Sequence, residues 1–303
     1  QKDYLKFIKI KQNYKTRIID CEICSSKHHS QIRDIVSVGN KNYFAKLPVV
    51  ACNVCGFLFQ NPRFSENFYK EFYSKNYRLV IYGKTSPSQE MINDQLSRGK
   101  LLYKSLKKFL PQSGNILDVG SSTGAVMKGF IDKGWTGLGI DPDQDYVEYG
   151  KNILNLPVEV SQAEKMVLKK NNYDLIIILG SLEHIYNPNK TLELCFESAK
   201  EGSYLLLEGR GHPQNHSRIY FNHNHHRYFT LNSMKLMMVK HGWEPIFTTD
   251  KEISGPTRKG SIFCLGKKNK QIKKINFYDY LKENKEEIKD ILFKFEQLDK
   301  QWS

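Results

Sequence analysis

No stretch of this chain is long and apolar enough to cross a membrane. The longest apolar run, Leu175 to Leu179, covers five residues, where a spanning helix needs about 20. The opening Gln1-Lys2-Asp3-Tyr4-Leu5-Lys6 has no apolar signal core and no small-residue cleavage site, which argues against secretion and for a cytoplasmic protein. It also lacks an initiating Met, so the chain is expected to be a cut from a longer protein. Acidic residues are outnumbered, 32 Asp and Glu against 46 Lys and Arg, a net charge of +14. No internal repeat is visible apart from two paired cysteine units. What remains suits a globular chain: 303 residues, 40% hydrophobic and 12% aromatic, enough for one large domain with small appendages.

Cysteine usage narrows the class. Of six cysteines, four form Cys21-Glu22-Ile23-Cys24 and Cys52-Asn53-Val54-Cys55, and a C-x-x-C turn presents two thiolates to one metal without strain. The alternatives are two disulfides or reduced core thiols. Without a secretion signal the compartment is reducing, so the spacing reads as a four-thiolate zinc site. Such a site has no open coordination position, which makes the metal structural. Cys195 and Cys264 stand alone in apolar surroundings and read as small core residues.

The chain divides into a basic arm (1–16), a zinc-binding module with an aromatic linker (17–75), a cofactor-binding domain (76–267) and a C-terminal amphipathic helix (268–303). Within the module, Ile32 to Val38 alternates as a strand does. Phe68, Tyr69, Phe72 and Tyr73 share a helical face suited to packing on the next domain. A helix from about Ser88 to Leu110 should stop before Pro111. After it, apolar runs at Ile116–Val119, Gly137–Ile140, Val158–Val160, Leu175–Leu179 and Tyr204–Leu207 alternate with helix-length segments, which implies a parallel sheet covered on both faces. Strands near Pro245–Thr249 and Ser261–Leu265 have no helix between them and should pair antiparallel at one edge. The fold class is therefore α/β, a doubly wound, seven-stranded, mostly parallel Rossmann-like sheet with a terminal hairpin. In the tail, Ile288, Ile291, Leu292, Phe295 and Leu298 line one helix face; it could pack back, pair with a second copy, or lead to a further domain.

The first strand runs into Asp118-Val119-Gly120-Ser121-Ser122-Thr123-Gly124, with a helix expected near Ala125. Strand, glycine turn and helix N-terminus let a cofactor lie against backbone at the carboxyl edge of the sheet. Asp141, followed by Pro142, ends the next strand, where an acidic side chain can accept from both ribose hydroxyls. Two rival readings exist. Gly120 to Gly124 also fits G-x-S-x-G with Ser122 as nucleophile, but hydrolases of that fold place several strands before their elbow. A nicotinamide site would need a second glycine that is missing here.

These residues resemble the class I S-adenosylmethionine-dependent methyltransferases, over roughly residues 116 to 265. The resemblance rests on the D-x-G-x-x-x-G loop, Asp141, and Ser161-Gln162-Ala163-Glu164 after the third strand. It implies S-adenosylmethionine bound by Asp118, Gly120, Ser122, Gly124, Asp141, Pro142, Ala163, Glu164, Gly180 and Ser181. Similar again is the subgroup with an N-terminal zinc module: Cys52-Asn53-Val54-Cys55-Gly56 leads to Asn61-Pro62 and then Phe72-Tyr73-Ser74. Ser181-Leu182-Glu183-His184 looks like that subgroup's L-E-H motif. Many of its members methylate nucleotide-linked sugars or surface polysaccharides, which implies a sugar nucleotide or glycan acceptor.

Six of nine histidines fall between His212 and His241, on the segment after the fifth strand. An imidazole there suits proton removal from a hydroxyl. His225 matches the histidine of the family's E-H-x-x-Y-F/Y-S segment and is the first candidate for a catalytic base, with His223 and His226 as alternatives. The preceding glutamate is replaced by Asn224, which weighs against C-methylation and for a hydroxyl acceptor. Tyr77, Glu183, His184, Arg227 and Tyr228 are expected to contact substrate. The reading is thus a sugar O-methyltransferase needing no catalytic metal. The alternatives are N- or C-methylation of a nucleotide sugar, RNA methylation with the zinc module as clamp, and a non-catalytic scaffold. The charge excess suits RNA, an acidic sugar nucleotide or a merely solvated face; nucleic acid is the less expected partner.

Overall fold

The computed structural model describes residues 8, 15–34, 36–38, 41–211, 221, 223–269 and 277–301. The basic arm lies almost wholly outside the described residues, as do His212, His216 and the side chains of Phe295 and Leu298.

Seven strands form one sheet in the order Val158–Val160, Thr136–Asp141, Asn115–Val119, Tyr173–Leu179, Ala199–Arg210, Ser261–Lys268, Trp243–Thr249. The first five pair in parallel, and Ser261–Lys268 runs antiparallel to both its neighbours. This is the α/β class expected from the alternation. Leu175 to Ile178 are fully buried, because helices cover both faces of a parallel sheet and leave no side to water. The order reverses between Asn115–Val119 and Tyr173–Leu179, so the turns that follow these two strands diverge and open a crevice at their carboxyl ends.

Some local boundaries differ from the pattern. The helix Gln89–Leu106 starts as expected, with the Ser88 hydroxyl accepting from the Met91 N–H at 3.2 Å, but ends four residues early in a turn. The helix after the glycine loop starts at Lys128 rather than Ala125. Here the chain crosses the preceding helix at Gly99 and Gly129, so closely that a Cβ on Gly99 would sit 2.2 Å from the Val126 oxygen. The aromatic stretch is two short helices, Glu66–Glu71 and Tyr77–Tyr82, joined by a π-turn at Phe72–Asn76. Phe68, Tyr69 and Phe72 are buried, with Phe64 stacked on Phe68 at 4.1 Å.

A second sheet lies at the N-terminal side, ordered Arg227–Tyr228, Leu58–Gln60, Val49–Cys52, His29–Arg33. Three strands come from the cysteine-bearing segment. The fourth is donated by the histidine-rich segment, with Arg227 opposite Phe59 and Tyr228 opposite Leu58. The helix Phe277–Gln301 packs back on this sheet's side of the molecule. Ile288 and Ile291 are buried, and Asn284 donates to the Cys55 oxygen at 2.5 Å. Gly56 has φ +77°, and a Cβ there would meet Ile288 at 3.0 Å, so glycine is required for that approach. Among the described residues no helix is long and apolar enough to cross a membrane.

Candidate active site

The crevice is a cavity of about 640 Å³, a size that suits a nucleoside-bearing ligand. One end is built by the glycine loop. Gly120 and Gly124 have φ +77° and Ser122 has φ +56°, left-handed values that glycine takes freely and serine at a cost of about 1 kcal/mol. A Cβ on Gly120 would lie 2.1 Å from the Ser181 Oγ, and that hydroxyl donates to the Gly120 oxygen at 3.3 Å. The loop is therefore closed against the Gly180–Ser181 turn, leaving backbone facing the cavity.

Asp141 ties loop and sheet together. Its Oδ2 accepts from the Ser122 N–H at 2.7 Å and its Oδ1 from the Asp143 N–H at 3.0 Å. Each carboxylate oxygen keeps a lone pair for a ligand hydroxyl. Asp118 faces the same space. Burial pushes its carboxyl up to about 7, with the neighbouring Asp141 charge adding and Arg98 opposing. Pro142, Asp143, Gln162, Ala163 and Glu164 line the wall beyond. A cradle of bare backbone, paired carboxylates and an apolar-polar wall fits S-adenosylmethionine, whose ribose and cationic amino-acid tail need those partners.

The other end carries Tyr73, Tyr77, Glu183, His184, Arg210, His225 and Arg258. The His184 Nδ1–H donates to the Asn224 oxygen at 2.7 Å, and the Tyr73 hydroxyl donates to the same oxygen at 2.9 Å. Burial holds His184 down at about 3. The His225 ring lies 5.1 Å from the His184 ring, centroid to centroid. Burial, His184 and Arg210 keep His225 well below the ordinary imidazole range, so it stays neutral with a free lone pair. Glu183 is buried, with its Oε2 lacking a hydrogen-bond partner; burial raises its carboxyl pKa against the pull of Arg258. Glu183, His184 and His225 bring ligand atoms within 4.8 Å of one another. Arg258 and Arg210 stand close enough to depress both histidines, a positive field that keeps the imidazoles unprotonated and suits an anionic ligand better than a cation.

Sequence reasoning missed the arginines. Arg258, on the loop before the last strand, pairs with Glu208, and Arg98 reaches the other Glu208 oxygen at 3.4 Å. A residue so remote in sequence carried no signal; only the edge hairpin folding back beside the crevice brings it in. Gln95 was likewise unread, and it receives the Thr123 hydroxyl at 3.0 Å and donates to Ser122 at 3.3 Å.

Five expected residues do not line the crevice. Gly124 sits beneath it, where a Cβ would meet Val158 at 2.6 Å. His223 is buried edge-on to Phe72 at 5.3 Å. His226 is buried against Tyr69 at 4.0 Å. Tyr228 is packed on Phe221 at 4.7 Å. Arg227 is fully buried on Glu22. Gly124 packs under the loop, and the other four lie on the segment that adds Arg227–Tyr228 to the N-terminal sheet, where Arg227 reaches Glu22 and its neighbours pack on aromatic rings, while His225 remains at the crevice.

Cys21, Cys24, Cys52 and Cys55 converge, with Sγ–Sγ separations of 3.5 Å for Cys21–Cys55 and 3.4 Å for Cys24–Cys52. All four are free thiols. Zinc at about 2.3 Å from each sulfur implies edges of about 3.8 Å, so the cluster needs only slight expansion to hold one ion. Hydrogen bonding among the sulfurs lowers Cys24 and Cys52 and raises Cys21 and Cys55. The four sulfurs are thus placed as a group that could hold one metal ion. Cys195 and Cys264 are buried thiols, both pushed up by burial.

With the geometry in hand, comparison with known proteins decides the family: a methyltransferase domain model matches residues 94–246. The chain belongs to the methyltransferase-domain family. The tRNA U34 carboxymethyltransferase of Desulfotalea psychrophila is 28% identical over 131 residues, 38% of this chain and 39% of that protein. This methyltransferase thus spans about two-fifths of that curated relative. Among solved structures, a chain of the complex between the Haloferax volcanii Trm112 methyltransferase activator and a methyltransferase is similar at TM-score 0.50 and 13% identity, over 60% of this chain and 95% of that one. An S-adenosylmethionine-dependent methyltransferase from Aquifex aeolicus is similar at TM-score 0.46 and 21% identity, over 60% and 99%. The chain thus carries a methyltransferase domain of Rossmann-like fold.

Proposed function

We propose that this methyltransferase methylates a sugar hydroxyl, on a nucleotide-linked sugar or a glycan, with His225 as the general base and the four cysteines holding a structural zinc ion. The observation that carries the reading is the His225 ring lining the crevice, 5.1 Å from the His184 ring, with Tyr77 in the same lining. S-adenosylmethionine, when bound, supplies an electrophilic methyl group. The residues have to align an oxygen with it and take one proton. His225 accepts that proton, since its depressed pKa leaves the ring unprotonated at neutral pH. His184, its Nδ1–H committed to the Asn224 oxygen, presents Nε2 to the acceptor and receives a hydroxyl hydrogen bond. Asp141 and Asp118 hold the ribose and the cationic tail. Arg210, whose Nη1 donates to the Lys259 oxygen at 3.1 Å, offers a counter-charge to an acidic acceptor.

A second reading, methylation of RNA, has its own support in the tRNA-modifying relative and the net charge of +14. Transfer of labelled methyl into fractionated extract separates the two. Periodate-sensitive, nuclease-resistant label that falls at least about tenfold in His225→Ala supports the sugar reading. Nuclease-sensitive label overturns it.

A further inference from the structure

The residue between the first two cysteines is charged and almost completely buried: Glu22 is 8% exposed. Arg227 and Arg63, both buried, pair with its carboxylate. Arg227 meets it in a fork, Nε to Oε2 at 2.6 Å and Nη2 to Oε1 at 2.5 Å. Arg63 adds a third bond, Nη2 to Oε1 at 3.0 Å.

Both arginines have a second duty on the far side. Arg227 Nη1 donates to the Leu182 oxygen at 3.1 Å and to the Ile185 oxygen at 2.6 Å, and Nη2 to the Tyr186 oxygen at 3.2 Å. Arg63 Nη2 donates to the Tyr186 oxygen at 2.7 Å. The carbonyls held are those that flank Glu183 and His184. The Glu183 oxygen in turn receives the His226 N–H at 2.8 Å, and Arg227 lies two residues after His225. The backbone of the cysteine turn is clamped as well: Lys240 Nζ and Asn189 Nδ2 donate to the Glu22 oxygen at 2.6 Å and 3.1 Å.

We infer that Glu22 is a positioning residue of the acceptor site. The cysteine turn, closed on its metal, presents one carboxylate that organises two arginines. Those arginines fix the backbone of 182–186 and, through it, the relative placement of His184 and His225. The cysteine cluster is thus part of the acceptor site's framework, in addition to closing its own module. The energetic basis is the cost of the alternative. Removing one partner from a buried ionic cluster leaves the others uncompensated in a dry environment, so the arginines swing toward new acceptors and release the loop. This inference concerns geometry, and it rests on the His184–His225 pair being the acceptor end proposed above.

The test uses Glu22→Gln, which keeps shape and removes charge. The full chain is loaded with zinc, labelled at histidine ring carbons and nitrogens, and saturated with S-adenosylhomocysteine. Zinc per chain should stay at the wild-type value and S-adenosylhomocysteine affinity within about twofold, while the ring signals assigned to His184 and His225 shift or split. Arg63→Lys, which retains the Glu22–Arg227 fork, should move the same two signals by less. A general loss of stability would move signals throughout and reduce cofactor affinity. Intact zinc with unshifted His184 and His225 signals overturns the inference. If Glu22→Gln fails to fold, Arg63→Lys carries the test alone: unmoved signals in that folded variant overturn the inference. No acceptor is present, so failure of the sugar assignment and failure of this coupling are separate outcomes.

Discussion

Gly180 makes room for Arg258: a Cβ on residue 180 would lie 2.1 Å from the guanidinium Nη2. The glycine also has φ +61°, so an alanine there suffers twice, from backbone strain of about 1–2 kcal/mol and from displacing the arginine. Gly180→Ala should lower the urea midpoint accordingly. It should also weaken S-adenosylhomocysteine binding and methyl transfer at least about tenfold, because Arg258 loses its place on Glu208 beside Glu183. A variant with wild-type midpoint and transfer rate would show that the guanidinium has no fixed station.

Cofactor affinity should depend on pH through Asp118. Burial pushes its carboxyl up to about 7, and a cationic ligand beside it favours the ionised form. Binding of S-adenosylmethionine therefore tightens as pH rises through about 7 and weakens below it, with release of a proton. Calorimetry at pH 6 and pH 8, in buffers of different ionisation enthalpy, reads both the affinity change and the proton count.

Folding stability should fall on acidification in a window set by His184. Its pKa is 6.5 when free and about 3 in the fold, so between these values the unfolded chain binds a proton that the native chain does not. Stability from this source is complete above pH 6.5 and is lost as pH falls toward 3. Urea midpoints of wild type and His184→Asn, compared across that range, should show a shallower pH slope in the variant.

Asp141→Asn keeps the shape of the side chain but removes its charge and half its accepting capacity. Its bonds to the Ser122 and Asp143 amides compete for what remains. A loss of about 1.5–3 kcal/mol, the worth of a charged hydrogen bond, corresponds to roughly 10- to 150-fold weaker S-adenosylhomocysteine binding. Binding within twofold of wild type would remove Asp141 from the ribose site.

Stripping the cysteine cluster with a chelator under reducing conditions should unfold the cysteine-bearing strands, since such sites contribute on the order of 10 kcal/mol. Near-ultraviolet circular dichroism of Phe57, Phe59 and Tyr69 would report it. Cys55→Ser should mimic chelation, and readdition of zinc should restore wild type only.

Much of this was legible in advance for a physical reason. Leu175 to Ile178 and Ile116 to Val119 are buried on both faces, so their apolar runs had no ambiguity, and the glycine loop's chemistry is written in adjacent residues. The cysteine cluster was readable from spacing alone. What escaped detection depends on distant pairings. Arg227 looked like a ligand-binding residue because it follows His225, and only its pairing opposite Phe59 turns it inward. Arg258 and Glu208 lie 50 residues apart and meet through sheet order, which no local pattern encodes. Glu22 carried no signal of its own between the first two cysteines.

The strand swap between the two sheets also sets a timetable for synthesis. Gln60 on the N-terminal sheet binds the His225 oxygen across 165 residues, so the outer edge of Leu58–Gln60 waits for its neighbour while that length of chain is made. At about 5–20 residues per second the wait is roughly ten to thirty seconds. Throughout it the nascent module presents an unpaired edge beside Phe57 and Phe59. The chain thus exposes an adhesive edge while still attached to the ribosome, well before the acceptor end of the crevice can close.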